Sequence, residues 1–332
     1  MTSQDKEFRQ GPQFTAQVAA TPEQYAALKE WSASVPTLYF LDICVVNATK
    51  LSEAQLVEAP RKARLVAHLH SMDRPQHAFS YLGALMEKVS DSRELLSDAE
   101  LRAQIVNDLA AMRRFFKNAK VLEPDDFAID YLEELRAKPA ELARPNYLSF
   151  IRLLNNHLAL RDPVSPALRF QKAQEILKEA DKLSISKQHP LVVLALACLY
   201  GNAAAKRVLK FKADVDQFNA ENALADVMAI PRFAERKLQI EEDGRRGGKY
   251  LRSDFLTDDD GLTNVLRCFE PIAVRVRENE DGAEIEHNIR VNLDELLTDL
   301  KSHVRPNRGA HDHLQTEQNP SEFERLLRLL SS

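Results

Sequence analysis

The chain has 332 residues, of which 44% are hydrophobic and 29% charged, and 45 basic against 50 acidic side chains give a formal net charge of −5. This composition is typical of a globular protein of one large or two ordinary domains, and it excludes a chain-wide polycation that would coat nucleic acid. Three cysteines in apolar contexts, without a CxxC spacing, predict buried free thiols in a reducing compartment (Cys44, Cys198 and Cys268). Because the N-terminus lacks an apolar signal core and no apolar run reaches the roughly twenty residues that span a bilayer, we expect a cytoplasmic protein without a membrane partner.

The first part of the chain predicts an arm, a helix and a strand. Residues 1–20 are polar and are expected to be mobile. Thr21 is a good N-cap and Pro22 suits the first helical position, so a helix begins there and ends before Pro36. The next run, TLYFLD (37–42), is short and almost continuously apolar, which is typical of a strand buried on both faces in a parallel sheet.

Helical patterns dominate from there to about residue 240. Ser52 begins one helix, HAFSYLGALMEKVSD (77–91) is taken as another, and Ser97 with Glu100 forms the capping box of a third. The run LVVLALA (191–197) fits either a buried helix or a strand.

Strands return in the last third of the chain. A long helix with Pro231 inside it precedes GRRGGK (244–249), which predicts a flexible basic loop. RSDFLT (252–257) reads as a strand, and the runs 269–278 and 283–293 read as the two strands of a hairpin.

Aspartates end the two most convincing buried strands. Asp42 follows the first, and Asp258–Asp260 follow the strand at 252–257. In an open α/β sheet, ligands bind outside the carboxyl ends of the strands, which favours a site for a divalent cation here. The structural alternative is that Asp42 caps a helix beginning at Ile43 and that DDDG is a turn.

Two further acids lie on predicted helices. Asp226 stands within NALADVMA, where a carboxylate is costly unless it is paired, solvated or bound to a metal. Asn222 shares its helical face, so a solvent-facing position is the alternative. Glu87 follows Ser80 in a Leu/Ala-rich segment, and alone it would be read as part of a solvated face.

The order of these acids and their surroundings resembles a PIN (PilT N-terminus) nuclease domain over residues 37–90 and 189–270. That family has an acid at the end of the first strand, a helical Glu, an Asp in a small-residue helix and a Thr-x-Asp strand end followed by Gly-Leu. The resemblance implies an acidic pocket that holds Mg²⁺ or Mn²⁺ (Asp42, Glu87, Asp226 and Asp259). It also implies that Thr257 orients a carboxylate or a water molecule.

The chain departs from the family pattern in length and in one missing strand. Residues 91–188 read as a helical insertion, and 191–197 is the one run that fits the expected second strand. Rival acids therefore remain open in place of Glu87 (Asp125, Asp126 and Asp130) and of Asp226 (Asp214 and Asp216).

The predicted fold class is α/β, with a PIN-like, mostly parallel central sheet flanked by many helices, helix-rich overall and ending in a β-hairpin. The predicted parts are an arm and helix (1–36), the PIN-like domain with its insertion (37–300), and a linker with a short helix (301–332).

The resemblance implies a Mg²⁺- or Mn²⁺-dependent endonuclease that acts on RNA rather than DNA. The basic loop would contact phosphates through Arg245, Arg246 and Lys249, unless it is merely a solvated hairpin. The alternatives are a flap-type DNA nuclease and a non-catalytic interaction protein that binds a protein partner or a second copy through the insertion.

Overall fold

A computed structural model describes residues 6–10, 19–90, 97–137, 145–279, 282–301 and 321–331. The chain divides into two compact units. The sheet unit comprises Met1–Leu142, Pro231–Asp259 and Glu270–Arg290, and the helical unit comprises Ala143–Ile230, Asp260–Phe269 and Val291–Ser332. Each unit combines segments that are far apart in the sequence, whereas the predicted boundaries lie near residues 36 and 300.

Two sheets contain the described strands, which are β1 (Lys6–Arg9), β2 (Thr37–Leu41), β3 (Ala78–Ser80), β4 (Lys120–Val121), β5 (Arg252–Leu256), β6 (Phe269–Asn279) and β7 (Gly282–Val291). The central sheet has four strands in the order β4-β3-β2-β5, and all of its pairs are parallel. Tyr39 of β2 lies between Phe79 of β3 and Asp254 of β5. The predicted α/β class and the parallel central sheet are confirmed.

Helices cover both faces of this sheet. Those before residue 138 are α1 (Pro22–Ser34), α2 (Ile43–Ala48), α3 (Glu53–Glu58), α4 (Pro60–Met72), α5 (Leu82–Ser90), α6 (Asp98–Phe115) and α7 (Asp125–Ala137). Since side chains alternate along a strand, Tyr39 and Leu41 pack in the core that α2, α4, α5, α6 and α7 cover. Leu38 and Phe40 point to the opposite face, where Phe233 packs.

The later helices are α8 (Pro145–Asn156), α9 (Pro166–Lys182), α10 (Pro190–Leu199), α11 (Ala203–Leu209), α12 (Ala220–Arg245), α13 (Asp260–Leu266), α14 (Leu293–Leu296), α15 (Thr298–Lys301) and α16 (Glu322–Ser331). Helix α12 contains Pro231, where the division between the units falls. Every residue of α10 is buried, as expected for a helix that is apolar on all sides and lies in a core.

Capping residues set the helix starts that the sequence predicts. Thr21, Ser52 and Ser97 each close a capping box with the residue three positions later. The segment after Ser52 forms two helices rather than one, because Pro60 lacks an amide hydrogen and begins a new helix, α4.

Two short strands of the central sheet were missed, and the open choice between helix and strand at 191–197 is decided for helix. Residues 78–80, predicted as helix, form β3, and LVVLALA, the one run that fitted the second strand, lies in α10. β4 lies inside the predicted 91–188 insertion and pairs with β3, which precedes it. Residues 97–137 therefore belong to the sheet unit. Strands of two or three residues carry too little alternation to be recognised in the sequence.

The second sheet has the order β1-β6-β7. The predicted C-terminal hairpin is confirmed, since β6 and β7 are consecutive and adjacent, and its turn residues 280–281 lie outside the described residues. The N-terminal arm was predicted to be mobile, and this is wrong for Lys6–Arg9, which pair antiparallel with β6.

The last helix is part of the helical unit rather than a separate tail. Leu326 and Leu330 of α16 are buried, the Tyr200 hydroxyl donates to Glu322 at 2.7 Å, and the Arg325 guanidinium stacks 3.7 Å from the Phe170 ring centre. The predicted linker before it, at 302–320, lies outside the described residues. Within the described ranges, no helix has the combined length and hydrophobicity of a membrane-spanning segment.

Candidate active site

The site lies where the order of the central strands reverses. Along the chain, β2, β3 and β4 extend the sheet in one direction, and β5 returns to the other side of β2. Crevices form outside the carboxyl ends of strands at such a switch point. Asp42 follows β2 and Thr257 follows β5, and the Asp42 amide donates to the Leu256 carbonyl at 2.9 Å. The tertiary structure therefore brings two of the predicted site residues to one point.

Helix α5 adds Glu87 to the same point. Glu87 Oε2 accepts from the Ile43 amide at 3.2 Å, which brings the Glu87 carboxyl next to Asp42, where it helps to lower the pKa of Asp42. Two neighbouring carboxyl groups repel each other when both are charged. Asp42 and Glu87, called the carboxylate pair below, are both half-buried and thus reachable from solvent.

Close packing of α5 on β2 makes this contact possible. A Cβ atom on Gly83 would lie 2.7 Å from the Leu41 carbonyl oxygen and 3.3 Å from the Phe255 ring. Only glycine allows this approach without a shift of backbone. Glu87 stands four residues later, about one helical turn along α5, so it faces the end of β2 as well.

Thr257 and Cys44 fix one oxygen of Asp42. The Thr257 hydroxyl donates to Asp42 Oδ2 at 2.5 Å, and the Cys44 thiol donates to the same oxygen at 3.1 Å. Asp42 occupies the N-cap position of α2, yet its side chain makes no capping hydrogen bond. Its carboxylate is therefore held by side chains from other elements, and helix capping does not explain it.

The surroundings of Asp42 favour its charged form. Burial alone would raise the pKa of Asp42, but hydrogen bonds from Glu87, Thr257 and Cys44 outweigh it and lower the pKa. Burial, followed by the negative charge of Asp42, raises the pKa of Cys44 to about 12. Cys44 is thus a neutral hydrogen-bond donor rather than a nucleophile.

The three consecutive aspartates of DDDG have three different environments. Asp258 is paired with Lys62 at 2.7 Å and with Arg61 at 3.2 Å. Asp259 is half-buried, and its amide donates to Thr257 Oγ1 at 3.0 Å. Asp260 is exposed and begins α13. Of the three, Asp259 is the one whose backbone is tied to the Thr257 hydroxyl that holds Asp42.

Asp226 is described in the helical unit, whereas Asp42, Glu87 and Asp259 belong to the sheet unit. Its Oδ2 lies 2.5 Å from the Lys210 Nζ. This ion pair supplies the partner that the sequence reasoning required for an acid in an apolar helix. The rival acids in the same unit are also engaged locally, since Asp214 accepts the Asp216 amide at 3.0 Å and starts a short 3-10 helix.

The acids that rival Glu87 in the sequence lie in the sheet unit, on α7. Asp125 is paired with Arg113 at 2.7 Å, and Asp126 and Asp130 are exposed. None of these three contacts Asp42 in the described structure, whereas Glu87 does.

The basic loop lies at the opposite end of β5 from the carboxylate pair. It precedes Arg252, while the carboxylate pair lies beyond Leu256, and five residues of parallel strand span about 16 Å. Arg245 and Arg246 both pair with Glu242, and the Lys249 ammonium lies 5.4 Å from the Tyr250 ring centre. The sequence prediction placed the loop beside the acids because the two are close along the chain. In the structure the length of β5 separates them.

Sequence reasoning missed a second buried acid at the carboxyl edge of the sheet. Glu123 follows β4, is 4% exposed, and accepts the Ser80 hydroxyl at 2.6 Å and the Tyr81 amide at 2.8 Å. Burial raises the pKa of Glu123. The sequence signal for Glu123 was its position directly after two apolar residues. A two-residue strand is too short to be recognised from the sequence, so this position was not identified as a strand end.

Among the residues that the structure describes, no group of three or more His, Cys, Asp or Glu side chains is arranged to hold a metal ion. The carboxylate pair with the Thr257 hydroxyl is the part of the predicted pocket that comes together. Comparisons of the chain with protein-family models, with curated proteins and with solved structures gave no match.

Proposed function

We propose that this protein is a metal-dependent nuclease that hydrolyses phosphodiester bonds at the carboxylate pair. One observation carries the proposal: Asp42 and Glu87 meet at the topological switch point, both half-buried, with Glu87 Oε2 on the amide of Ile43, the residue after Asp42. Two carboxyl groups this close repel each other when both are charged, so the pair needs either a shared proton or a cation. A structural role alone does not require two acids there.

The oxygen atoms of the pair fit Mg²⁺ or Mn²⁺. Mg²⁺ keeps several water molecules and binds through one or two carboxylates, so Asp42 and Glu87 would suffice as protein ligands. Asp259, half-buried and two residues beyond Thr257, is the candidate for a further ligand. A bound ion would neutralise charge on the phosphate and lower the pKa of a water molecule.

The residues of this chain would supply orientation. Thr257 and Cys44 both donate to Asp42 Oδ2 and so fix the orientation of this carboxylate. The Ile43 amide holds Glu87 through Oε2 in the same way. Each carboxyl thus has one oxygen fixed by the protein, so little conformational freedom is lost when a ligand binds.

A preference for RNA over DNA rests on the resemblance to PIN domains, as does the choice of endonuclease over flap-type DNA nuclease. The chemistry of the carboxylate pair is the same for either nucleic acid, because the reacting group is a phosphodiester in both. The substrate is therefore a matter for the assay.

The test is cleavage of single-stranded RNA and of single-stranded DNA with Mn²⁺, Mg²⁺ or EDTA. We expect metal-dependent cutting that Asp42→Asn and Glu87→Gln each reduce by about 100-fold or more, the scale on which single active-site groups contribute. The matched control is Asp254→Asn, which changes an exposed aspartate of β5 that lies outside the site. Thermal unfolding of each variant checks that the fold is intact.

Two further variants locate the remaining ligand. Asp259→Asn should reduce cutting, while Asp226→Asn should not, because Lys210 already pairs with Asp226. Failure of the wild-type protein to cut either nucleic acid with either metal would overturn the proposal, as would cutting that survives Asp42→Asn.

One observation favours an interaction protein as a second function. Helix α1 has no buried residue, and Tyr25, Leu28 and Trp31 are 66%, 55% and 69% exposed on it. Large apolar side chains grouped on one exposed helix are typical of a binding surface. Loss of a cellular partner on Trp31→Ala, with cutting unchanged, would assign this function to α1 in addition to the carboxylate pair.

A further inference from the structure

A second feature of the sheet unit lies at the other end of α2. Here the ends of α4 and α6 and the turn after α6 enclose a cavity of about 520 Å³, called the basic cleft below. Its lining includes charged and aromatic side chains, namely Lys50, His70, Asp73, Arg114, Phe115 and Lys117. The mechanism proposed above uses none of them.

The charge of the cleft favours an anion. Within the part of the chain that the structure describes, Arg114 and Lys117 have no ion-pair partner, and both are exposed. The one carboxylate in the lining, Asp73, is occupied by the main-chain amides of residues 117–119 at 2.7–2.9 Å. Lys50 lies 2.5 Å from Asp108, a buried acid that it shares with Lys88 at 3.3 Å. Lys50 is thus paired, and Arg114 and Lys117 are the two cations of the lining whose charge is available to an anion.

An aromatic stack forms one wall. His70 stacks on Phe115 with ring centres 4.3 Å apart and planes 13° apart, and Phe116 and Phe79 continue the aromatic cluster into the core. His70 is exposed, so its imidazole ring can be reached from solvent. Rings of this kind, next to cations, are the platforms on which unpaired bases stack while phosphates are bound beside them.

The cleft lies close to the carboxylate pair. Lys50 follows α2, and Asp42 precedes it, so the two are separated by little more than the six residues of this helix. At about 1.5 Å per residue, that distance is on the order of 12 Å. Lys88, which shares Asp108 with Lys50, is the neighbour of Glu87 on α5. A bound strand would have to run along α2 to contact both places.

We infer that the basic cleft binds a segment of single-stranded nucleic acid, with a base on His70 and phosphates on Arg114 and Lys117. The inference rests on the proposed nuclease function, because the bound segment would deliver the adjoining phosphodiester to Asp42 and Glu87. It specifies the substrate as an unpaired strand, since a base within a duplex has no free face for His70.

The test is binding of a fluorescein-labelled oligouridylate to the full chain in EDTA, followed by fluorescence anisotropy. The combined change Arg114→Gln and Lys117→Gln should weaken binding about tenfold and make the slope of log K against log salt shallower by about 1.4, from two lost phosphate contacts. The matched control is Arg102→Gln on the same helix, which pairs with Glu133 away from the cleft. Its binding should equal that of the wild type.

The stacking surface is tested separately. His70→Ala should weaken binding about tenfold, a loss within the range for one stacked base, and His70→Phe should restore it. Loss that His70→Phe does not restore would overturn the stacking role. Equal binding by the Arg114/Lys117 variant and the wild type would overturn the cleft as the strand site.

Two further outcomes separate this inference from the proposed function. Binding that depends on the cleft, together with no cutting by the wild type, would overturn the nuclease proposal and support the strand site. Cutting with unchanged KM in the cleft variants would support the nuclease proposal and overturn the strand site. Displacement of the oligonucleotide by an equal concentration of uridine monophosphate or inorganic phosphate would show a small-ligand pocket and overturn the strand site.

Discussion

Replacement of Gly83 by alanine tests whether the packing of α5 on β2 builds the site. In an ordinary helix, Gly→Ala stabilises a protein by about 0.5–1 kcal/mol, because alanine has less conformational entropy to lose. At Gly83 the added methyl group would lie 2.7 Å from the Leu41 carbonyl oxygen, which belongs to a central strand and has little freedom to move. We therefore expect the opposite sign.

The magnitude follows from overpacking, which costs about 1–3 kcal/mol in a well-packed core. After the gain in helix propensity is subtracted, the free energy of unfolding should fall by about 1–2 kcal/mol. This loss corresponds to a melting temperature that is lower by about 2–8 °C. Because α5 also carries Glu87, a shift of a few tenths of an ångström would loosen its contact with Asp42. Cutting should then fall by about tenfold, since small displacements of catalytic groups are costly.

The assay combines urea unfolding with cleavage under the same conditions. The control is Gly247→Ala, where φ is +96° and no atom lies within 4 Å of the added Cβ. This variant should lose about 1 kcal/mol through backbone strain alone and cut normally. A Gly83→Ala protein that is as stable as the wild type, or more stable, would refute the close approach. A loss of stability with unchanged cutting would refute its role in the site.

Three other predictions concern the same unit. Burial and the charge of Asp42 raise the pKa of Cys44 to about 12, so Cys44 should react slowly with iodoacetamide at mildly alkaline pH. Asp42→Asn should speed this reaction, as followed by mass spectrometry. An equal rate in this variant and the wild type would contradict the electrostatic effect. Asp108→Ala should cost about 3 kcal/mol in urea unfolding, because it leaves Tyr81 and two lysines without their buried acid. The exposed pair of Asp125 with Arg113 should contribute under about 1 kcal/mol, so equal losses for Asp125→Ala and Asp108→Ala would count against this reasoning. At Asp73, burial alone would raise the pKa, but three main-chain amides and Asn118 outweigh it and lower the pKa. A lowered folded pKa gives stability that is present above the unfolded value of about 4 and is lost as pH falls through the folded value. Asp73→Asn should therefore melt below the wild type at neutral pH, with a difference that shrinks in acid, and a difference that is constant with pH would disprove the linkage.

Sequence reasoning recovered the parts of the fold that depend on local interactions. The capping boxes at Thr21, Ser52 and Ser97 fixed three helix starts, and the apolar run 37–41 identified the central strand. It failed for β3 and β4, which are three and two residues long. Such short strands are defined by the strand they pair with and not by a pattern in their own sequence.

The candidate site shows the same division. The positions of Asp42 and of Asp258–Asp260 at strand ends were readable from the sequence, and the resemblance to PIN domains implied a role for Thr257. The contact of Glu87 with Asp42 required the close approach at Gly83, and the pairing of Asp226 with Lys210 joined two helices. Neither contact has a signature in the spacing of residues.

By itself the sequence determined which segments are apolar, where helices begin and which acids stand at strand ends, because these depend on neighbours along the chain. Only the tertiary structure decided that β5 lies beside β2, and so which acids meet and at which end of the sheet the basic loop lies. The physical reason is that strand pairing and helix packing act between residues about 200 positions apart, as between Asp42 and Thr257.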